Sequence, residues 1–229
     1  MVLSVVLLSG GLDSSTALAT VVEKGNEAIA LTFDYGQRHR KELESASRVA
    51  RHYGVRSHII IELDIGRHLR SSLTNATMTI PTDGNDRDGV GGIPDTYVPG
   101  RNIVFLSVAS AIAEGLGADE AVIAANAIDY SGYPDCTPDC INAFQKTLAV
   151  GTKRGVSGRP VRVEAPLLNM TKADIVREAV RLSVPIHLTW SCYMGGDRAC
   201  GKCDSCRLRL RGFEEAGEED PLPYEGGNR

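Results

Sequence analysis

Residues 2–18 read VLSVVLLSGGLDSSTAL, and this stretch decides the fold. The apolar, β-branched run from Val2 to Leu8 predicts a buried strand. The run stops at Ser9-Gly10-Gly11, and from about Ser14 the apolar residues recur at helical spacing. A strand, a glycine turn and a helix direct backbone N–H groups and a helix N-terminus at one place, which favours an anion there. The stretch therefore predicts a phosphate-binding loop and, with it, a nucleotide.

The type of phosphate loop follows from its letters. Neither GxxxxGK[ST] nor GxGxxG follows the first predicted strand. The string SGGLDSS resembles the SGGxDS loop of the N-type ATP pyrophosphatases, which cleave ATP between its α and β phosphates; an ordinary tight turn is the alternative. Asp13 is either a helix N-cap or a carboxylate that shares Mg²⁺ with the phosphates. The resemblance implies ATP binding by Leu8, Ser9, Gly10, Gly11, Leu12, Asp13, Ser14, Ser15, Thr16, Ala17 and Leu18.

The bulk composition is that of a globular enzyme. Hydrophobic residues make up 42% and charged residues 24% of the 229 residues, so a sizeable core is available. The net charge of −4 argues against a nucleic-acid partner, which usually shows as a basic patch. Met1 leads directly into the predicted strand, and no apolar run is long enough to cross a bilayer. We expect a cytoplasmic protein with neither a membrane nor a nucleic-acid partner.

Four cysteines are concentrated near the C-terminal end: Cys192, Cys200, Cys203 and Cys206. The last three read CGKCDSC, which is two overlapping C-x-x-C steps. Thiolates at this spacing converge on one cation, and four of them complete a closed, structural zinc site. An iron–sulfur cluster and two disulfides are the alternatives, and disulfides are unusual in a cytosolic chain.

Strands and helices alternate along the chain, which predicts a doubly wound, mostly parallel α/β sheet covered on both faces. The predicted strands after the first are 27–33, 56–63, 120–125 and 161–165. The predicted later helices are 40–53, 102–115, 138–152 and 171–182, the last with Thr171 and Asp174 as a capping box. A segment from about residue 75 to 100 has no periodicity and is typical of a lid or a disordered loop.

These patterns divide the chain into three parts. The prediction is an ATP-binding α/β domain over residues 1–185 and a zinc-binding segment over 186–213 packed on it. The remaining residues, 214–229, are polar and acidic, which predicts a loosely ordered tail.

Ligands of such sheets bind beyond the carboxyl ends of the strands, so polar residues there are candidates for a site. Lys172 begins a predicted helix, where its charge opposes the helix dipole, so we expect a compensating anion beside it. Arg101 and Asn102 lie at another helix N-terminus, a good place to meet phosphate or carboxylate. The other candidates are Tyr35, Gln37, His39, Asp129, Tyr133, Asp135 and Cys136.

Five strings together resemble one family, the 7-cyano-7-deazaguanine synthases of queuosine and archaeosine biosynthesis. They are SGGLDSST, TFDYGQRH, VPGRN, DYSGYPDC and the terminal SC…CGKCDSC, and they extend from Ser9 to Cys206. The resemblance implies an adenine-nucleotide α-hydrolase-like (Rossmann-like) sheet, a zinc knuckle and a homodimer. Thr137 departs from the family, which commonly has arginine there, and Cys140 is an additional cysteine.

The resemblance also implies a reaction. ATP would adenylate the carboxylate of 7-carboxy-7-deazaguanine, ammonia would give the amide, and a second ATP would allow loss of AMP to the nitrile. The implied catalytic residues are Asp13, Arg101, Lys172, Asp129 and Cys136. The implied substrate-binding residues are Tyr35, Gln37, Asn102, Tyr133 and Asp135.

Two roles stay open at this point. Cys136 is either a nucleophile or a small residue that lines the pocket. Gln37 and His39 are both candidates for a general base, and His39 is equally consistent with a surface position.

Two other classes of protein compete with this interpretation. One is a different adenylating enzyme on the same loop, either a tRNA-thiolating enzyme or an amidotransferase synthetase domain. The other is a nucleic-acid-binding module with a zinc knuckle, which the basic residues of the C-terminal segment favour. The intact SGGLDSS loop argues against the second class. The basic residues are Arg198, Lys202, Arg207, Arg209 and Arg211.

Overall fold

The computed structural model describes residues 1–82, 92–126 and 132–227. In these parts one sheet of five parallel strands has the order β3-β2-β1-β4-β5. The chain passes from β1 to one side of the sheet and later to the other, so the carboxyl end of β1 is a topological switch point. The strands are β1 Leu3–Leu7, β2 Glu27–Asp34, β3 Ser57–Glu62, β4 Glu120–Val122 and β5 Arg162–Glu164.

Helices cover both faces of the sheet, which confirms the predicted fold class. One face carries α1, α2, α6 and α7 over a core that includes Leu18, Val49 and Ile175. The other face carries α3 and α4 over a core that includes Leu106 and Ile141. The helices are α1 Leu12–Glu23, α2 Lys41–His52, α3 Arg101–Leu116, α4 Pro138–Gly151, α5 Lys153–Val156, α6 Lys172–Arg181 and α7 Asp204–Ala216.

The boundaries differ from the predicted ones where a ligand would bind. Helix α1 begins at Leu12, about two residues early, and Gly11 is its N-cap without a side-chain hydrogen bond. Asp13 is therefore not the N-cap; its carboxylate is left for other partners. Strand β4 ends at Val122, three residues early; the Ile123 N–H still donates to Glu164 C=O at 2.9 Å, and residues 123–126 line the cavity. The predicted capping box of α6 is confirmed, since Thr171 and Asp174 exchange both hydrogen bonds.

The loosely ordered tail predicted from residue 214 is wrong for most of its length. Helix α7 continues to Ala216, and Asp220, Leu222 and Tyr224 are all buried. Asp220 accepts hydrogen bonds from Arg209 Nε at 2.7 Å and Nη2 at 2.8 Å, and a third from Tyr224 Oη at 2.7 Å. The acidic composition concealed this partner of a buried arginine. The division into residues 1–185 and 186–213 stays a prediction.

The long aperiodic segment is only partly described. Its second part returns to the loop before it, where Ser72 N–H donates to Asp95 C=O at 2.9 Å and Val98 is buried. Residues 83–91 lie outside the described residues, so the predicted lid stays a prediction. In the parts that the structure describes, no helix is both long and apolar enough to cross a membrane.

The buried ion pair gives a stability prediction. Asp220→Ala leaves the Arg209 guanidinium buried without its anion, and we expect the free energy of unfolding to fall by about 3–5 kcal/mol. Glu215→Ala removes an exposed partner of Arg211 on the same helix, and we expect a loss below about 1 kcal/mol. Urea unfolding of both variants measures the difference. Equal losses would contradict the role given to Asp220.

Candidate functional site

A cavity of about 330 Å³ opens at the carboxyl ends of β1, β2 and β4. Its wall combines the phosphate loop after β1, the first turns of α2 and α3, Lys172 of α6 and the segment around Trp190. This volume and this position at the switch point are typical of a small-molecule site.

Gly10 fixes the phosphate loop against α2. Its φ of +83° lies in the left-handed region, and a Cβ there would stand 2.4 Å from Ala46 N and 2.5 Å from Glu42 O. Only glycine fits such a contact with another backbone. The Gly10 carbonyl also accepts the Trp190 N–H at 2.8 Å. The loop is therefore held between α2 and the C-terminal segment.

The start of α1 faces the cavity with unpaired donors. The N–H groups of the first turn have no carbonyl partner within the helix, and Gly11 supplies no side-chain cap. Ser9 and Ser14 hold the turn together, with their hydroxyl oxygens 3.0 Å apart and Ser9 N–H donating to Ser14 Oγ at 3.2 Å. Such a turn suits a phosphate group.

The structure brings only part of the predicted ATP-binding stretch to the cavity. Ser15 and Thr16 are fully buried, and their hydroxyls donate to Gly11 C=O at 2.8 Å and Leu12 C=O at 2.9 Å. Ala17 and Leu18 lie in the core under the sheet. The members that line the cavity are Leu8, Ser9, Gly11, Leu12, Asp13 and Ser14.

Asp13 and Lys172 form an ion pair across the cavity wall. Lys172 Nζ lies 2.6 Å from Asp13 Oδ2, and both side chains are mostly buried. Lys172 is the first residue of α6, so the anion expected beside it is Asp13 itself. Gly212 of α7 makes room for the lysine stem, because a Cβ there would stand 2.3 Å from Lys172 Cγ.

Aromatic rings and one guanidinium form the opposite end of the cavity. The rings of Phe33 and Phe105 stack with their centroids 4.0 Å apart, and Tyr35 meets Phe105 edge-on at 5.4 Å. Arg101 Nη1 donates to Tyr35 Oη at 3.3 Å. Burial alone would lower the pKa of Arg101, but the nearby Tyr35 and Tyr133 hydroxyls more than offset this effect. The net pKa is raised, so the guanidinium stays charged.

Asp135 does not line the cavity but holds the start of α3 in place. Its buried carboxylate accepts the Asn102 backbone N–H at 2.9 Å. The Asn102 side chain, which lines the cavity, donates to Cys136 Sγ at 3.1 Å. Tyr133 also lines the cavity, and its hydroxyl donates to Thr96 Oγ1 at 2.8 Å. The predicted Asp129 lies outside the described residues.

Cys136 lines the cavity as a thiol. Burial, with a smaller contribution from the Asp135 carboxylate, raises the pKa of Cys136 to about 11. The thiolate is the nucleophilic form of cysteine, so this environment favours the pocket-lining interpretation.

Neither residue considered as a general base is well placed for that role. The Gln37 amide closes its own turn, with Oε1 accepting from Tyr35 N–H at 2.8 Å and Nε2 donating to Phe33 C=O at 3.3 Å. His39 lies against Gly195, where a Cβ would stand 2.3 Å from His39 Cβ. Burial lowers the pKa of His39, and its Nδ1 atom is buried without a hydrogen bond among the described residues.

Sequence reasoning missed several residues of the wall. Glu42 occupies the helical stripe of α2 that also carries Ala46 and Val49, where the pattern calls for an apolar side chain. A carboxylate at an otherwise apolar position of the helix was the sequence signal that could have identified Glu42 as a site residue. Burial raises the pKa of Glu42 to about 7, although the Arg101 charge opposes the shift. The other missed residues include Arg38, Phe105, Trp190, Ser191, Tyr193 and Arg209.

The four C-terminal cysteines converge in one buried cluster. The sulfur atoms of Cys192, Cys200, Cys203 and Cys206 all lie within 4.8 Å of one another. Cys200 Sγ and Cys206 Sγ are 4.0 Å apart, far beyond a disulfide bond of about 2.05 Å. Four sulfurs at about 2.3 Å from one tetrahedral zinc ion would stand about 3.8 Å apart.

Backbone donors support thiolate character in this cluster. The N–H groups of Cys200 and Met194 donate to Cys192 Sγ at 3.3 and 3.4 Å. Hydrogen bonds from Cys203 and Cys206, with these backbone donors, lower the pKa of Cys192. The cluster can therefore hold one four-coordinate metal ion.

Trp190 and Lys41 connect the cluster to the phosphate loop. The Trp190 indole N–H donates to Cys192 C=O at 2.9 Å, while its backbone N–H reaches Gly10. Lys41 Nζ lies 3.9 Å from the centre of the Trp190 ring and donates to Gly196 C=O at 2.6 Å. Cys192 of the cluster is therefore only two residues from Trp190, which is hydrogen-bonded to the phosphate loop.

A phosphate-type loop at the switch point of a parallel sheet, beside four cysteines that could hold a metal ion, is the arrangement of an α/β enzyme with a PP-loop type of site. The chain also matches the family model described as "Queuosine biosynthesis protein QueC" over residues 3–217. It therefore belongs to the QueC family, which confirms the resemblance found in its motifs.

Relatives agree with this assignment over nearly the whole chain. The 7-cyano-7-deazaguanine synthase of Acetivibrio thermocellus is 51% identical over 221 residues, 96% of this chain and 97% of that relative. The one of Thermoplasma acidophilum is 51% identical over 223 residues, 97% of this chain and 92% of the relative. Among solved structures, NMN synthetase from Francisella tularensis has a TM-score of 0.49 and 14% identity, covering 95% of this chain and 78% of its own.

The packing of Gly212 against Lys172 gives a prediction. Gly212→Ala forces the lysine stem away from Asp13, and if Lys172 has its predicted catalytic role we expect ATP turnover to fall about 10–100-fold because the displaced ammonium loses its geometry. We expect the overpacking to cost about 1–3 kcal/mol of unfolding free energy.

Gly115→Ala is the matched control, since Gly115 also lies in a helix but has open space around its Cβ position. We expect it to leave turnover unchanged and to stabilise by about 0.5–1 kcal/mol. AMP release and urea unfolding measure both variants. Full turnover in Gly212→Ala would contradict the function given to Lys172.

Proposed function

We propose that the protein converts 7-carboxy-7-deazaguanine and ammonia into 7-cyano-7-deazaguanine at the expense of ATP, through an acyl adenylate and an amide. The observation that carries the proposal is one cavity with a phosphate loop and the Asp13–Lys172 pair at one end and aromatic rings with Arg101 at the other. Relatives that bear the name 7-cyano-7-deazaguanine synthase at 51% identity support this choice of substrate.

The chemistry requires the phosphate end of the cavity. A carboxylate is a poor acyl donor because oxide would have to leave, whereas AMP leaves readily. Negative charge on the phosphates needs preorganised cations and N–H donors, and the first turn of α1 and Lys172 offer both. Mg²⁺ would be held between Asp13 and the phosphates and would neutralise charge on them when bound.

The opposite end suits a planar heterocycle with a carboxylate. Phe105 and Tyr35 offer faces for stacking, and Tyr133 adds a third ring to the wall. We assign the substrate carboxylate to Arg101, because Arg209 in the same wall is paired with Asp220 and Arg38 donates to Ser72 C=O and Met78 C=O. Thr137, where the family commonly has arginine, instead caps α4 by accepting the Cys140 N–H at 3.2 Å.

We propose that the metal of the cysteine cluster is structural zinc. Four thiolates close the coordination sphere and leave no position for substrate. When bound, the ion would hold the chain around Trp190 in place next to Gly10. A cytoplasmic location and a homodimer stay predictions of the family resemblance.

The nucleic-acid-binding alternative loses support. Of the basic residues that favoured it, Arg209 is buried in the ion pair with Asp220, and Arg211 pairs with Glu215 on the same helix. The other alternative is an enzyme that uses the same loop to adenylate a different acceptor. The first experiment distinguishes it from the proposed function.

Mass spectrometry of a reaction with Mg-ATP, ammonia and 7-carboxy-7-deazaguanine tests the function. We expect AMP together with the 7-cyano base, and the amide as a transient species. AMP without nitrile would reject the substrate and keep the adenylating loop. The absence of AMP from folded, metal-loaded protein would reject the enzyme proposed here.

The metal proposal has its own test. Cys203→Ser removes one ligand, and we expect the protein to lose about one bound zinc ion per chain and to unfold at a lower temperature. Cys140→Ser is the control, because Cys140 lies at the start of α4 and outside the cluster. Metal analysis and thermal unfolding measure both. A Cys203→Ser protein that is metal-free, equally stable and fully active would refute a structural zinc site.

A further inference from the structure

Among the described residues that line the cavity, two carry a carboxylate, Asp13 and Glu42. Asp13 is occupied by its ion pair with Lys172. The Glu42 carboxylate has no hydrogen bond and no ion pair with any described residue, and its side chain is half-buried in the cavity wall. A carboxylate that is partly withdrawn from water without a partner carries a desolvation cost, so its position calls for a functional explanation.

Glu42 lies in the cavity wall beside the phosphate loop and within electrostatic reach of Arg101. It is the second residue of α2, and its backbone carbonyl is one of the atoms that presses on Gly10. The charge of Arg101, at the aromatic end, is close enough to oppose the pKa shift of Glu42. Under the proposed function the substrate carboxyl group would bind between the phosphate loop and Arg101, the two features next to which Glu42 lies.

The surroundings of Glu42 suit a group that exchanges protons near neutral pH. Burial raises the pKa of Glu42 to about 7, Arg101 lowers it, and Cys192 adds a smaller upward contribution. A general base is most effective when its pKa lies near the working pH. The other titratable or charged groups of the cavity wall are Asp13, Tyr35, Arg38, His39, Arg101, Tyr133, Cys136, Lys172, Tyr193 and Arg209.

We propose that Glu42 is the proton acceptor of the amination and dehydration steps, a role that rests on the proposed function. In the first step the ammonia nitrogen forms a bond to the acyl carbon, the bond from that carbon to the AMP oxygen breaks, and Glu42 takes the proton lost by nitrogen. In the second step the amide oxygen attacks the α-phosphorus of a second ATP and pyrophosphate leaves; the carbon–oxygen bond then breaks to release AMP, and Glu42 takes the two N–H protons in turn as the nitrile forms. Each proton then passes to solvent.

Other described groups fit this role less well. The Asp13 carboxylate is held by Lys172, and the Gln37 amide does not titrate in this range. Cys136 is a neutral thiol with a pKa of about 11. His39 is lodged against the loop that follows the metal ligand Cys192, with its Nδ1 buried. Among the described residues of the cavity wall, Glu42 combines an unpaired carboxylate with a place beside the phosphate loop and within reach of the Arg101 charge.

The experiment separates adenylation from amination. Exchange of labelled pyrophosphate into ATP, driven by 7-carboxy-7-deazaguanine without ammonia, reports adenylation alone. For Glu42→Gln, which keeps the shape of the side chain, we expect this exchange to stay within about threefold of native. We expect amide formation at saturating ammonia to fall about 10²–10⁴-fold, the usual contribution of a general base.

Glu44→Gln is the matched control, because Glu44 is exposed one half-turn along the same helix. We expect it to match the native protein in both assays. In the native protein the rate of amide formation should rise through pH of about 7 as Glu42 loses its proton, and this rise should be absent in Glu42→Gln. Glu42→Asp should retain the rise with a lower rate, because its carboxylate is one methylene shorter.

Two results would overturn the assignment. Equal losses of exchange and amide formation in Glu42→Gln would make Glu42 a residue that shapes the adenylation site. Native rates of amide formation in that variant, with an unchanged pH profile, would remove Glu42 from the reaction. Failure of the native protein itself to exchange pyrophosphate would instead reject the proposed function on which the assignment rests.

Discussion

The contact between Gly10 and the backbone of α2 is the constraint on which the site depends. A side chain at position 10 would stand within 2.5 Å of two α2 backbone atoms, so the loop and the helix are built around the missing Cβ. The same residue accepts the Trp190 N–H from the C-terminal segment. One glycine therefore joins the sheet, the helix that carries Glu42 and the cysteine cluster. The contact with α2 and the Trp190 hydrogen bond hold the loop before α1, so the N–H groups of the first turn stay directed at the cavity.

This junction shows how the cysteine cluster supports the phosphate loop. The zinc proposed for the cluster would have no open coordination position in a four-thiolate arrangement, so its contribution to chemistry would be mechanical. The ligand Cys192 is hydrogen-bonded through its carbonyl to the Trp190 indole, and Lys41 of α2 is fastened to the carbonyl of Gly196. The loop between the first two cysteines is thereby tied to the same helix that presses on Gly10. Trp190 makes this connection, because it is two residues before Cys192 and its backbone N–H donates to Gly10 of the phosphate loop.

Sequence alone predicted the features that depend on local pattern. The apolar run before the glycines, the alternation of strands and helices, and the capping box at Thr171 all follow from nearest-neighbour rules, and the structure has them. An anion beside Lys172 was predictable from the helix dipole, but its identity as Asp13, 159 positions away, was not. The buried tail was missed because its acidic residue Asp220 pairs with the buried Arg209 of α7, a contact that no local pattern indicates. The role of Glu42 was hidden for the same reason, since burial and the charge of Arg101 arise only in the folded chain.

Trp190 is the one tryptophan of the sequence, and it lies where the phosphate loop, the cysteine cluster and α2 meet. Its indole ring has the Lys41 ammonium 3.9 Å from its centre and a backbone carbonyl on its N–H. Indole emission depends on the local electric field and on access of water. We therefore expect the emission of this single indole, excited apart from the seven tyrosines, to report both occupancy of the phosphate loop and integrity of the cysteine cluster without any added label.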